Sequence, residues 1–140
     1  MLKSDQKGEY ILKIINKGAK SDLPFSPAII AGDFMYVSGQ ASVDPNHGTI
    51  IVGSFEEEMR RSIENMQAIL EAGDLSLDHV INVKSYVGRQ EDLGQYNEIY
   101  SEYFSAPLPT RSTIIGVLGT YLKFELDCVA YVPLARQESV

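Results

Sequence analysis

The chain has 140 residues, a formal net charge of −7, 44% apolar residues and 22% charged residues. That is enough for one domain with a packed core, and it argues against wholesale disorder. The acidic balance disfavours extended nucleic-acid binding, which depends on basic contacts to phosphate. The only adjacent basic pair, Arg60-Arg61, is offset by Glu56, Glu57 and Glu58.

Cys128 is the single cysteine and there are two histidines. An intramolecular disulfide is therefore excluded, and a zinc site of His and Cys ligands is not expected. No apolar run approaches the ~20 residues that span a bilayer. The opening MLKSDQKGEY is neither an apolar signal nor an Arg-rich transit segment, so a cytoplasmic location is expected.

Residues 1–9 read as a mobile lead-in to a single domain over 10–140. Residues 10–16 (YILKIIN) are apolar and β-branched, which predicts a strand. Gly18, Pro24 and Pro27 break the following loop. Two β-prone runs, 29–31 and 34–38, flank Gly32-Asp33, the pattern of a tight hairpin. Asp44-Pro45-Asn46-His47-Gly48 predicts a turn, with a short strand over 49–52 after it.

Ser54 and Glu57 have the spacing of a capping box. Behind them Phe55, Met59, Ile63, Met66 and Leu70 recur at helical intervals, and Gly73 is the expected stop. Glu56, Arg60, Glu64 and Glu71 fall on the polar face. Residues 80–87 predict another strand. Leu93, Tyr96, Tyr100, Tyr103 and Phe104 mark a second amphipathic helix over 91–104, ended by Pro107 and Pro109. Strands over 111–117 and 123–132, joined through Gly119, complete an α+β order.

In the last strand Phe124, Leu126, Cys128, Ala130 and Val132 share one face, and Glu125, Asp127, Val129 and Tyr131 share the other. The second face mixes carboxylates with apolar groups, which suits neither water nor a core. An interface between subunits, with a polar site at its margin, reconciles the two.

Arg111 follows the stiff Pro107-Leu108-Pro109-Thr110 segment and offers a planar fork of donors that matches a carboxylate. Glu125 and Asp127, two apart on one strand face, can tune each other's protonation. Gly39 lets a ligand approach the backbone beside the Ser38 hydroxyl. Asn97, inside a helix, invites a polar partner. Each has a plainer reading: an exposed arginine, a solvated strand face, an ordinary turn and an exposed asparagine. His47 and His79 read as surface residues, and Cys128 as a buried, inert thiol. No nucleophile elbow, Walker loop or dinucleotide-binding glycine motif is present.

Over about residues 23–133 the chain resembles the reactive-intermediate deaminase family, also called YjgF or L-PSP. The resemblance is carried by Pro24-Phe25-Ser26-Pro27-Ala28, Val37-Ser38-Gly39-Gln40, Asp44-Pro45 and Asn65-Met66. It continues through Tyr96-Asn97-Glu98-Ile99-Tyr100, Pro109-Thr110-Arg111-Ser112-Thr113 and Phe124-Glu125-Leu126-Asp127-Cys128-Val129-Ala130. It implies a chorismate-mutase-like mixed sheet with two helices on one face, and a homotrimer with clefts between subunits. It also implies hydrolysis of reactive imino and enamine acids, such as 2-aminoacrylate and 2-iminopropanoate, to 2-keto acids and ammonia. No metal or organic cofactor is implied.

By the same resemblance Arg111 matches the carboxylate-binding arginine and Glu125 the water-positioning glutamate. Phe25, Ser38, Gly39, Asn97 and Thr113 match the substrate-binding positions. Phe25 stands where tyrosine is often found, and Thr113 where cysteine is often found. Gly116-Val117-Leu118-Gly119-Thr120-Tyr121 replaces the usual stretch before the last strand. The alternatives are a non-catalytic trimer that binds small carboxylates, or an endoribonuclease and translation inhibitor like other members of the family.

Overall fold

We describe the protein from a computed structural model, in which residues 2–4, 11–18 and 21–133 are described. Among the described residues seven strands form one sheet: β1 (Leu2–Ser4), β2 (Ile11–Ile15), β3 (Ala28–Ala31), β4 (Phe34–Ala41), β5 (Val80–Val87), β6 (Thr110–Ile115) and β7 (Phe124–Tyr131). The spatial order is β1-β2-β3-β4-β7-β5-β6. All pairs are antiparallel except β5 with β6. Two helices, α1 (Phe55–Ala72) and α2 (Leu93–Tyr103), cover one face.

The expected hairpin is β3–β4, and its turn residue Gly32 takes φ +59°, where a side chain is disfavoured. Beyond it β4 and β7 pair from Phe34↔Tyr131 to Val37↔Cys128, then slip before resuming at Gln40↔Leu126. Ser38 and Gly39 occupy that bulge. Bulges re-aim the chain locally, and this one lies where the cavity described below opens.

Helix α1 begins as expected. Ser54 Oγ accepts from the Glu57 amide, and Glu57 Oε1 accepts from the Ser54 amide. Its apolar stripe of Phe55, Met59, Ile63, Met66 and Leu70 is buried against Met35, Val37, Leu126 and Cys128. Phe55 meets Phe124 edge-on, and Tyr96 of α2 tilts onto the same ring. These contacts put both helices on the face that carries Phe124, Leu126, Cys128 and Ala130. The alternate residues of β7 therefore lie on the open face.

Several expectations need correction. No strand forms over 49–52; Ile50 makes a single bridge to Val43. The Asp44–Gly48 turn closes on itself, with the Gly48 amide donating to the Asp44 carbonyl, and the helix cap begins at Ser54, so little chain is left to pair. Leu2–Ser4 pairs with β2, where a lead-in outside the sheet was expected; the rest of the expected lead-in, and Tyr10, lie outside the described residues. The second helix starts at Leu93 after a 3₁₀ turn over Gln90–Asp92. The last two strands do not pair with each other, because β5 lies between β6 and β7.

No helix among the described residues is long and apolar enough to cross a membrane. The open face carries exposed Phe34, Tyr36, Ile81, Ile114 and Tyr131.

Candidate functional site

A cavity of about 620 Å³ opens beside the end of β4 and the start of β7, lined by Phe25, Ser38, Gly39, Gln40, Tyr86, Glu125 and Asp127 among others. Strand alternation brings Glu125 and Asp127 there, because Phe124, Leu126 and Cys128 are committed to the core. A Cβ built on Gly39 would lie 3.2 Å from both Cδ and Oε1 of Glu125. Glycine at 39 therefore lets the carboxyl group stand against the bulged backbone. Ser38 Oγ donates to the Ser26 carbonyl at 2.6 Å, and the Ser38 amide donates to the Pro27 carbonyl at 2.9 Å. These bonds hold the 25–27 segment, and with it Phe25, at the cavity wall.

Burial raises the Glu125 carboxyl above the ordinary glutamate range, and the negative charge of Asp127 adds to it. Tyr86, on the adjacent strand β5, donates its hydroxyl to Asp127 Oδ2 at 3.2 Å. Burial first, then the adjoining carboxylates, raise that phenol above the ordinary tyrosine range. The cavity thus sets a carboxyl whose burial favours its protonated form beside a second carboxylate that accepts a hydrogen bond from a phenol.

Arg111 lies elsewhere. In register it pairs with Val83, which pairs with Cys128, so all three share the helix-covered face. Its guanidinium carbon is 4.9 Å from the Tyr96 ring centroid and 4.8 Å from that of Tyr100, both on α2. Thr113, two residues on, meets the Tyr96 hydroxyl at 3.2 Å. Among the described residues Arg111 has no carboxylate partner, while Arg60 and Arg89 each have two and Lys123 has one. Asn97 is exposed on α2, and its carbonyl accepts from Ser101 Oγ.

The expected site residues therefore fall into two sets. Phe25, Ser38, Gly39 and Glu125 share the cavity; Arg111 and Thr113 stand on the other face, at edge strand β6, with Asn97 on the helix that covers it. One chain does not bring Arg111 to Glu125.

Two features were not legible in the sequence. Glu58, buried on α1, accepts from the Gly53 and Lys123 amides and pairs with Lys123 Nζ at 3.1 Å, anchoring the approach to β7. Nothing in the acidic run of residues 56–58 distinguishes it from its neighbours. Tyr86 reaches the site only because β5 lies next to β7. Cys128 is buried as expected, and burial pushes its thiol up to about 12. His47 is exposed and bonds Asp44 within its own turn. Among the described residues no group of three or more His, Cys, Asp or Glu side chains is disposed to hold a metal ion.

The family profile described as Endoribonuclease L-PSP matches residues 17–132. This chain belongs to the YjgF/L-PSP family. A RutC family protein of Pyrococcus horikoshii is 38% identical over 109 residues, 77% of this chain and 86% of the relative. The human 2-iminobutanoate/2-iminopropanoate deaminase is 30% identical over 108 residues, 76% of this chain and 79% of the relative. Among solved structures, Escherichia coli TdcF with bound serine superposes with a TM-score of 0.77 at 28% identity, covering 86% of this chain and 99% of that one. The fold of this YjgF/L-PSP chain is thus shared across nearly the whole length of that neighbour.

Proposed function

We propose that the protein hydrolyses 2-imino acids, with their enamine tautomers, to 2-keto acids and ammonia, in clefts built between copies of a homotrimer. Arg111 of one copy holds the substrate carboxylate through its planar fork. Glu125 of the adjacent copy holds a water and directs it at the imine carbon. The water oxygen bonds to that carbon while its proton passes through Glu125 to the imine nitrogen; a second proton transfer breaks the C–N bond and releases ammonia. The backbone near Gly39 and Thr113 orients the substrate. Phe25, Ser38 and Asn97 contribute to the walls.

The observation that carries this reading is the separation of two complementary halves. A carboxyl with a raised pKa lies in a cavity, and an arginine with no carboxylate partner among the described residues lies on the opposite face of the same sheet. Neither half can do the chemistry alone, and the open face exposes aromatic and aliphatic side chains that a second copy would cover. The mammalian relatives named as imino-acid deaminases lend the reaction class.

Complementation tests it. Arg111→Ala and Glu125→Gln proteins are each expected to lack turnover of freshly generated 2-iminopropanoate. Co-expressed, they should regain roughly a quarter of the parental rate, because random assembly of a cyclic trimer pairs an intact Arg111 with an intact Glu125 in about one cleft in four. Mixed assemblies with no activity would refute a site shared between copies. Saturable pyruvate binding by a parent protein that turns over no imine would replace hydrolysis with simple binding, a reading to which the hydroxyl-free Phe25 also lends itself.

A further inference from the structure

The notch that holds Arg111 has a geometry of its own. The Tyr96 and Tyr100 centroids are 5.8 Å apart with the rings tilted by 59°, and the guanidinium carbon is nearly equidistant from both. Were the guanidinium sandwiched between parallel rings at those distances, the centroids would stand about two-thirds farther apart. It rests instead at the opening of a V formed by the two rings, and Arg111 is exposed.

The rings are themselves immobilised. Tyr96 is fully buried, packs on Phe124 and meets Thr113 through its hydroxyl. Tyr100 is 6% exposed and stacks on Phe104 at 4.4 Å. The Tyr100 hydroxyl is buried with no hydrogen-bond partner among the described residues, so its ring, rather than its polar end, is what this position uses. Burial pushes that phenol up to about 12, which leaves a neutral ring under the cation at physiological pH.

Little else fixes Arg111. It lies on a strand paired on one side only and has no carboxylate partner among the described residues. We infer that Tyr96 and Tyr100 are the positioning residues of the anion anchor: they hold the guanidinium by its face and leave its N–H edge free for a carboxylate. The inference rests on the reading of Arg111 as that anchor. Hydrogen bonds donated to an aspartate would hold the group equally well but would occupy the donors; an aromatic face holds it without using one. A lysine in the same notch would keep the charge and lose the fork.

The test uses the full-length, assembled protein, with pyruvate as the probe in calorimetry and the Arg111 side-chain Nε–Hε resonance as a readout that needs no ligand. The resonance is identified by its loss in Arg111→Met. In the parent protein it should lie upfield of the free-arginine position, because the aromatic rings shield it. Tyr100→Leu should weaken pyruvate binding on the order of tenfold, the scale of one partly desolvated cation–π contact, and return the resonance towards the free position. Tyr100→Phe should rescue both, and in an Arg111→Met background Tyr100→Leu should change nothing further.

An unshifted resonance in the parent protein overturns the inference without any variant, so failure of Tyr100→Leu to fold does not shelter it. A Phe variant as poor as the Leu variant, or an undiminished effect in the Arg111→Met background, overturns it as well. If the parent protein neither binds pyruvate nor turns over imine, the proposed function falls, and the resonance still decides whether the notch holds the arginine.

Discussion

Glu125 and Arg111 lie on strands separated only by β5, yet the fold holds them by different means. β7 has neighbours on both sides, and Glu125 is flanked by residues committed to the core, so its position follows from the backbone. The bulge and Gly39 leave it room, and Glu58 ties down the approach to its strand. Arg111 is on the edge strand, exposed on nearly every residue, and its orientation comes from two aromatic rings of a helix. A site split this way has one half set by the sheet and one half set by side-chain packing. The first should resist surface mutation; the second should fail when a ring is lost.

The largest expected effect breaks the second half. Arg111→Ala should cost about 2–5 kcal/mol of transition-state binding, on the order of 30- to several-thousand-fold in kcat/KM, with the assembly unchanged by light scattering. Arg111→Lys should fall close to the alanine variant, since the planar fork is what is used. A lysine variant with near-parental kcat/KM would mean that charge alone suffices.

The next strikes the support of the first half. Glu58→Ala leaves the Gly53 and Lys123 amides without their acceptor and Lys123 without its ion pair. Losing this acceptor for two amides, together with a half-buried ion pair, should destabilise by about 3 kcal/mol. For a domain of this size that is roughly 6–12 °C in Tm by calorimetry. A change of a degree or less would show that the loop into β7 is held by other contacts.

A smaller effect tests the fit at the bulge. Gly39→Ala puts a methyl 3.2 Å from the Glu125 carboxyl, so that side chain must shift by a few tenths of an ångström. The expected loss is roughly tenfold in kcat with Tm nearly unchanged. Equal losses in stability and turnover would make Gly39 a folding residue instead.

The smallest effect reads the protonation of Glu125. Burial and Asp127 raise its carboxyl in the folded chain, so the protonated form favours folding. That contribution is fully present below the unfolded value of about 4.3 and is lost as pH rises through the folded value. Glu125→Gln should therefore have a higher Tm than the parent at pH 7, with the difference shrinking towards pH 4. A difference independent of pH would assign it to packing.

Much of this molecule follows from local pattern. The two-residue period of β7 separates Phe124, Leu126 and Cys128 from Glu125 and Asp127. The Ser54–Glu57 box starts α1, and the β3–β4 hairpin turns where Gly32 permits a positive φ. These depend on neighbours within a few residues, which is the range over which periodicity and capping act. Strand order does not: that β5 inserts between β6 and β7, that β6 is left at the edge, and that Tyr86 reaches Asp127 are long-range pairings. The separation of Arg111 from Glu125 belongs with them. Alternation tells which residues share a face within one strand, but which face of β6 aligns with which face of β7 depends on the registers both make with β5. The burial of Glu58 and the notch of Tyr96 and Tyr100 were decided there too, because a charge is buried, or a ring presented to a cation, only by what packs against it from elsewhere in the chain.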